Sequence, residues 1–263
     1  MEMRNLVKEK IAANGYALGA FVASGSANNC EILAINGLDF IIIDMEHSQT
    51  DAETAVDMFR ASELYGMAPC VRVFNPNDGS MMSRLLDVGA HGVMVPLCNT
   101  PEQVRNVVDN MKYAPLGHRG ANGGRGPRWG NYADYIHIAN DNTLTIVQCE
   151  TVEAVENVEE IAAIPGVDCI FIGTGDLSLD MGLKFSADTT SNHASNDLME
   201  EYIDRVLKAC QKNGVIPGIV TLNADNAAKR IKQGFQFVTC MNDLGIFSAS
   251  TKQRIADVKE LLK

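Results

Sequence analysis

The sequence predicts an α/β protein, a (β/α)8 TIM barrel with an extra N-terminal helix, and three observations support that prediction. The chain has 263 residues, close to the roughly 250 that one such barrel uses. Eight short β-rich apolar runs alternate with helical patterns, the order expected of a parallel sheet with crossover helices. Those runs also end repeatedly in polar residues able to do chemistry, as in Phe40-Ile41-Ile42-Ile43-Asp44-Met45-Glu46-His47. In a βα repeat every strand C-terminus opens on one face, so residues distant in sequence converge on one pocket. Closure is favoured over a doubly wound sheet, and residues 1–263 are read as one domain.

The elements follow in order from periodicity and punctuation. A helix over 2–13 precedes a strand at 17–23, and a helix at 27–36 leads to the strand at 39–43. The helix at 52–65 opens at Thr50 or Asp51, whose short oxygens suit an N-cap, and the strand at 69–73 follows. After the helix at 79–88 and the strand at 92–96, a helix at 101–112 starts with Pro101, whose missing N–H is no loss in a first turn. The strand at 144–149, helix at 152–163 and strand at 168–172 come next. The helix at 197–213, strand at 215–220, helix at 224–233, strand at 236–240 and helix at 244–262 complete the chain. Two connections are long. Residues 113–135 are glycine-rich with three arginines and are expected to form a substrate-side flap. Residues 183–196 are polar and read as a solvent-facing insertion.

Composition narrows the function. At 46% hydrophobic and 21% charged residues the chain belongs to the ordinary globular class. A formal charge of −11 argues against nucleic acid, which demands clustered Lys and Arg. No apolar stretch approaches the roughly 20 residues of a membrane helix, and the start lacks the apolar core of a secretory signal, so a cytoplasmic enzyme is expected. The seven cysteines contain no C-x-x-C pair and lie mostly in apolar runs, which suits reduced, buried thiols.

The candidate chemistry sits at the strand ends. Glu150 and Asp176 follow consecutive strands, and two carboxylates suit a hard divalent ion that takes water or substrate oxygens for its other positions. The competing reading makes Glu150 a cap of the next helix and Asp176 the N-cap of the Leu177-Ser178 turn. Arg72 ends the third strand, where a guanidinium can meet a carboxylate or a developing oxyanion, or else a salt bridge to Glu46 or Asp44. His47 and Asp44 make a base with an orienting carboxylate. Gln148 shares a strand face with Glu150. The run Gly173-Thr174-Gly175-Asp176 offers backbone N–H groups to an anion, and its glycine spacing is wrong for a dinucleotide site.

The motifs Asp44-Met45-Glu46-His47, Val71-Arg72, Leu86-Asp87-Val88-Gly89-Ala90, Gln148-Cys149-Glu150-Thr151 and Phe171-Ile172-Gly173-Thr174-Gly175-Asp176-Leu177-Ser178 resemble those of the metal-dependent, class II pyruvate aldolases of the HpcH/HpaI type. The resemblance spans nearly the whole chain, from Gly19-Ala20-Phe21 to Gly234-Phe235-Gln236-Phe237-Val238-Thr239, with Thr174-Gly175 where the family often has Pro-Ala.

That resemblance implies reversible cleavage of a 4-hydroxy-2-oxo acid to pyruvate and an aldehyde. Mg²⁺, Mn²⁺ or Co²⁺ would be held at Glu150 and Asp176, with the backbone near Gly173, Thr174, Gly175 and Asp176 holding the pyruvate carboxylate. Arg72 would stabilise the enolate oxygen, and His47, oriented by Asp44, would manage protons. Gln148 corresponds to a pyruvate contact, Glu46 to a partner of the metal's water, Asp87 to a further acidic neighbour, and Phe21 and Val220 to the aldehyde pocket. It further implies a homo-oligomer, a hexamer or trimer of dimers, in which the last helix packs on a neighbour. The alternatives are oxaloacetate decarboxylation, a citrate-like condensation, a noncatalytic 2-oxo acid binder, and a barrel binding phosphate at the Gly120 to Gly130 arginine loop.

Overall fold

Eight parallel strands close on themselves, each paired with its sequence neighbours and the first with the last, in the computed structural model, which describes residues 3–183 and 197–263. The strands are β1 (Ala17–Val22), β2 (Phe40–Asp44), β3 (Ala68–Arg72), β4 (Gly92–Val95), β5 (Leu144–Cys149), β6 (Cys169–Ile172), β7 (Ile216–Ile219) and β8 (Phe237–Asn242). The helices are α1 (Leu6–Asn14), α2 (Ala27–Ile35), α3 (Ala52–Glu63), α4 (Gly79–Asp87), α5 (Pro101–Met111), α6 (Tyr135–Asn142), α7 (Val152–Glu156), α8 (Val158–Ala162), α9 (Thr174–Asp180), α10 (Asp197–Asn213), α11 (Ala224–Gln233) and α12 (Asp243–Leu261). The expected barrel and its additional first helix are both present. The helix expected at 152–163 is broken at Asn157, whose side chain donates to the Asn99 carbonyl at 2.9 Å. Helices α6 and α9 lie outside the expected elements.

Strand alternation splits the apolar side chains into two layers. The outward layer packs against the helices; the inward layer fills the barrel with Phe40, Ile42, Cys70, Met94, Ile146, Cys169, Phe171 and Phe237. Phe40 stacks on Phe237 with centroids 3.7 Å apart, and Phe237 meets Phe171 edge-on at 6.0 Å. Gly19 makes room for this stack, because a Cβ there would come within 2.3 Å of the Phe40 ring. Below, Val7 joins the same cluster with Leu6 and Ile11 beside it, so α1 plugs the N-terminal end of the barrel.

The segment 113–135 departs from the expected flap. It follows α5 and precedes β5, and a connection from helix to strand must run at the N-terminal end of the barrel, opposite the pocket. Its arginines are paired there. Arg125 and Arg128 each donate to Glu63 at 2.6 Å, and Arg119 donates to Asp87 at 2.7 Å while lying 4.8 Å from the Tyr113 ring centroid. Glu63 also meets His91 at 3.0 Å. Apart from Leu183, the polar insertion expected at 183–196 lies outside the described residues.

Candidate active site at the barrel mouth

The strand C-termini surround a cavity of about 390 Å³ lined by Phe21, Asp44, His47, Arg72, Gln148, Phe171, Gly173, Gly175, Asp176 and Val220, with Ala23, Leu222 and Asn242 completing the wall. Asp44 and Arg72 are register partners on β2 and β3. Their side chains form a two-pronged ion pair, Arg72 Nε to Asp44 Oδ1 at 3.0 Å and Nη2 to Oδ2 at 2.8 Å, and both residues are buried. Nη1 lies 3.0 Å from Glu46 Oε2, and the guanidinium sits 5.0 Å from the Phe21 ring centroid. Burial alone would raise the Asp44 carboxyl, but Arg72 and the N–H groups of His47 and Glu46 hold it below its ordinary value. Glu46 goes the other way, raised by burial and by the neighbouring Asp44 and Asp176 charges against the pull of Arg72 and His47.

Glu150 sits immediately behind Gly173, almost fully buried. Its Oε1 accepts from the Leu97 N–H at 2.8 Å, while Oε2 is buried with no hydrogen-bond partner among the described residues. Burial pushes this carboxyl up to about 7; the Leu97 N–H opposes that, the Asp176 and Glu46 charges add to it, and Arg72 opposes it in turn. Gln148 Oε1 and Thr174 Oγ1 are likewise buried and unpartnered. Gly173 is required here, since a Cβ would lie 2.7 Å from Glu150 Oε2 and 2.9 Å from Gln148 Nε2. Helix caps do not explain the two acids. Thr151 caps α7, and Asp176 lies inside the first turn of α9, whose N-cap is Gly173.

These atoms fit a divalent cation on chemical grounds. A buried carboxylate with an unpartnered oxygen beside the charges of Asp176 and Glu46 is costly in a low-dielectric site unless positive charge joins it. Among the described residues no group of three or more His, Cys, Asp or Glu could hold a metal alone. Glu150 and Asp176 would offer two carboxylates with open positions, a set suited to a hard ion completed by water or substrate oxygens.

Two expected relationships are corrected. The Asp44 carboxylate is engaged by Arg72, and of His47 it holds only the backbone N–H; the imidazole is exposed, with Nε2 3.6 Å from Glu46 Oε2. Both partners foreseen for Arg72 are thus present together. Asp87 closes α4 at the opposite end of the barrel, where Arg119 and Asn122 donate to it, so within one chain it stands apart from the mouth. Asn242 and Leu222 are wall residues that strand patterning did not disclose, because the expected strands stop at 240 and 220.

Comparison with known proteins agrees with this geometry. The sequence pattern of the HpcH/HpaI aldolase/citrate lyase family matches residues 17–249. The 2-dehydro-3,6-dideoxy-6-sulfogluconate aldolase of Pseudomonas putida is 34% identical over 243 residues, covering 92% of each chain. The 5-keto-4-deoxy-D-glucarate aldolase of Shigella boydii is 32% identical, covering 96% of this chain and 95% of its own. A solved family member from Burkholderia cenocepacia J2315 superposes with a TM-score of 0.86 at 30% identity, over 97% of this chain and 99% of the other. A family pattern that takes in all the barrel strands, together with relatives alike from end to end, makes this chain a member of the HpcH/HpaI aldolase/citrate lyase family.

Proposed function

We propose that the protein is a carbon–carbon lyase, a class II aldolase that reversibly cleaves a 4-hydroxy-2-oxo acid to pyruvate and an aldehyde. The observation that carries this reading is a cavity lined by the clamped Arg72 guanidinium, Gln148, Gly173 and Asp176, with two buried acceptors that the protein leaves unpartnered, Gln148 Oε1 on its wall and Glu150 Oε2 directly behind Gly173. Breaking the C3–C4 bond leaves its electron pair on C3 as an enolate, which takes a proton at C3 from solvent water to leave as pyruvate, and the enolate charge is stabilised only by groups already in position. A divalent ion bound at Glu150 and Asp176, with Mg²⁺, Mn²⁺ and Co²⁺ as candidates, would supply Lewis acidity toward the 2-oxo acid oxygens.

The chain's own residues do the rest. Arg72 has five N–H donors, of which two go to Asp44 and one faces Glu46, so at least two remain for the oxygen that becomes the enolate. Asp44 fixes the plane of that guanidinium, and Phe21 supports its face. Gln148 and the backbone from Gly173 through Thr174 and Gly175 orient the pyruvate end. His47, at the open rim with Glu46 beside it, takes the C4 hydroxyl proton during cleavage and returns it in the condensing direction. Phe21 and Val220 border the aldehyde side.

The same proposal includes a homo-oligomer in the cytoplasm. Helix α12 has no buried residue and exposes Ile246, Phe247, Ile255, Val258 and Leu261. Beside its root lies a groove of about 450 Å³ lined by Ile32, Leu33, Met241 and Phe247. A second copy, offering its own α12, supplies the complementary apolar face. All seven cysteines are free thiols and six are buried, which suits a reducing compartment. No helix among the described residues is long and apolar enough to cross a membrane.

The test is exchange of pyruvate methyl protons with D₂O, which reports enolate formation without knowledge of the aldehyde. Exchange should require added divalent ion, stop with EDTA, and be lost in Glu150→Ala. Metal-independent exchange, or none in the metal-supplied protein, would refute the assignment.

A further inference from the structure

We propose that Asn242 selects the aldehyde: its side-chain Nδ2 donates a hydrogen bond to an oxygen on the carbon next to the carbonyl, so that a 2-hydroxyaldehyde is the preferred partner of pyruvate. This rests on the aldolase reading of the same site.

The placement of Asn242 comes from an irregularity in β8. Across the β1–β8 seam Gly19 pairs with Thr239, but Ala20 then pairs with Met241 and Phe21 with Asn242, so one residue of β8 is skipped. A bulge of this kind shifts the phase of the strand and re-aims the side chains after it. Cys240 packs with the outer layer and Met241 lines the external groove beside α2. With both turned outward, Asn242 returns to the interior face and lines the mouth cavity level with Phe21. In the closed eight-strand order, β8 and β1 stand across the barrel from β4 and β5. Asn242 and Phe21 therefore face the Gln148 and Glu150 side from the far wall, where the departing half of a substrate must lie.

The amide is also oriented. Asn242 is the N-cap of α12, and its Oδ1 accepts from the Gly245 N–H at 3.0 Å. That bond commits the oxygen and leaves Nδ2 as the free donor; among the described residues it has no partner. Phe21 is its register partner across the seam, and Ala23, Val220 and Leu222 line the same cavity, none of the four with a side-chain acceptor. A donor held among apolar groups discriminates strongly between a substrate that satisfies it and an isostere that cannot.

The experiment compares glycolaldehyde with propanal, which match in size and differ in the terminal oxygen, as acceptors for pyruvate. The quantity read is the ratio of their kcat/KM values, which cancels losses common to both. Asn242→Ser keeps a competent cap but draws the polar group back to Oγ, whose O–H is too short to reach the substrate oxygen, whereas Asn242→Asp keeps the cap and offers a carboxylate to which the substrate hydroxyl can donate. The wild-type ratio should favour glycolaldehyde, fall about three- to tenfold in Asn242→Ser, and be retained in Asn242→Asp. A wild-type ratio near one, an unmoved ratio in Asn242→Ser, or an equal fall in both variants would overturn the proposal. Pyruvate methyl exchange on the same samples keeps the two readings apart. Its absence in the metal-supplied wild type defeats the aldolase assignment, while exchange with an unmoved ratio defeats only the role of Asn242.

Discussion

Arg72 is the residue to which the proposed mechanism assigns charge stabilisation, and its contacts with Asp44 and Glu46 hold the guanidinium in place for that role. Removing a positioned donor of this kind typically costs about 3–4 kcal/mol in the transition state. Arg72→Ala is therefore expected to lose two to three decades in turnover, while divalent-ion binding, measured by titration calorimetry, persists. Near-normal turnover would remove Arg72 from the mechanism. Lysine cannot restore it, because a single ammonium does not reproduce the two parallel bonds to Asp44. Gly173 is the second sensitive position. In Gly173→Ala the new methyl would collide with Glu150 Oε2 at 2.7 Å, so weaker ion binding should accompany lower exchange, together with a lower unfolding midpoint from the overpacking. Loss of exchange with intact ion affinity would show that Gly173 serves the pyruvate carboxylate alone.

At the level of elements, the N-terminal end of the barrel is a scaffold built on Glu63. Burial would raise its carboxyl, but His91, Arg128 and Arg125 outweigh that and hold it at about 2. Because the folded value is depressed, the stabilisation is fully present above the ordinary carboxylate range and disappears as pH falls from about 4.5 through 2. It amounts to about 3 kcal/mol. Glu63→Gln should lower the urea midpoint at pH 7 and flatten the acid dependence between pH 4.5 and 2; a variant that follows the wild-type curve would contradict this account. The same region shows where sequence reading fails. The arginines and glycines of 113–135 suggested a substrate flap by composition, yet their place after a helix and before a strand already assigns them to the other end. Asp87 obeys the same rule, since a helix C-terminus in a βα unit cannot reach the mouth of its own barrel. Strand ends read well because alternation is local: Asp44, Arg72, Gln148 and Glu150 were all legible. Asn242 was not, because a bulge is set by pairing across the seam with β1 and leaves no mark in a single strand.

Across the whole molecule, α12 is the element that does not belong to its own barrel. A 19-residue helix without a buried side chain gains little from its own chain, and the proposed assembly would cover its apolar residues with another copy. Phe247 is 73% exposed in one chain, so Phe247→Glu costs an isolated protomer nothing. In sedimentation velocity the wild type should run as an oligomer and Phe247→Glu as a smaller species with unchanged helix content. A wild-type monomer would sink the assembly proposal.

The plug formed by α1 has a kinetic corollary. With Val7, Phe40, Phe171 and Phe237 closing the interior beneath it, the proposed reaction chamber opens at the rim carrying His47. Whatever lies deeper has to wait for whatever lies nearer the exit. If the pyruvate fragment occupies the inner berth, the aldehyde departs first, and pyruvate should act as a competitive product inhibitor while the aldehyde is noncompetitive. The reverse pattern would mean that the two fragments are seated the other way round.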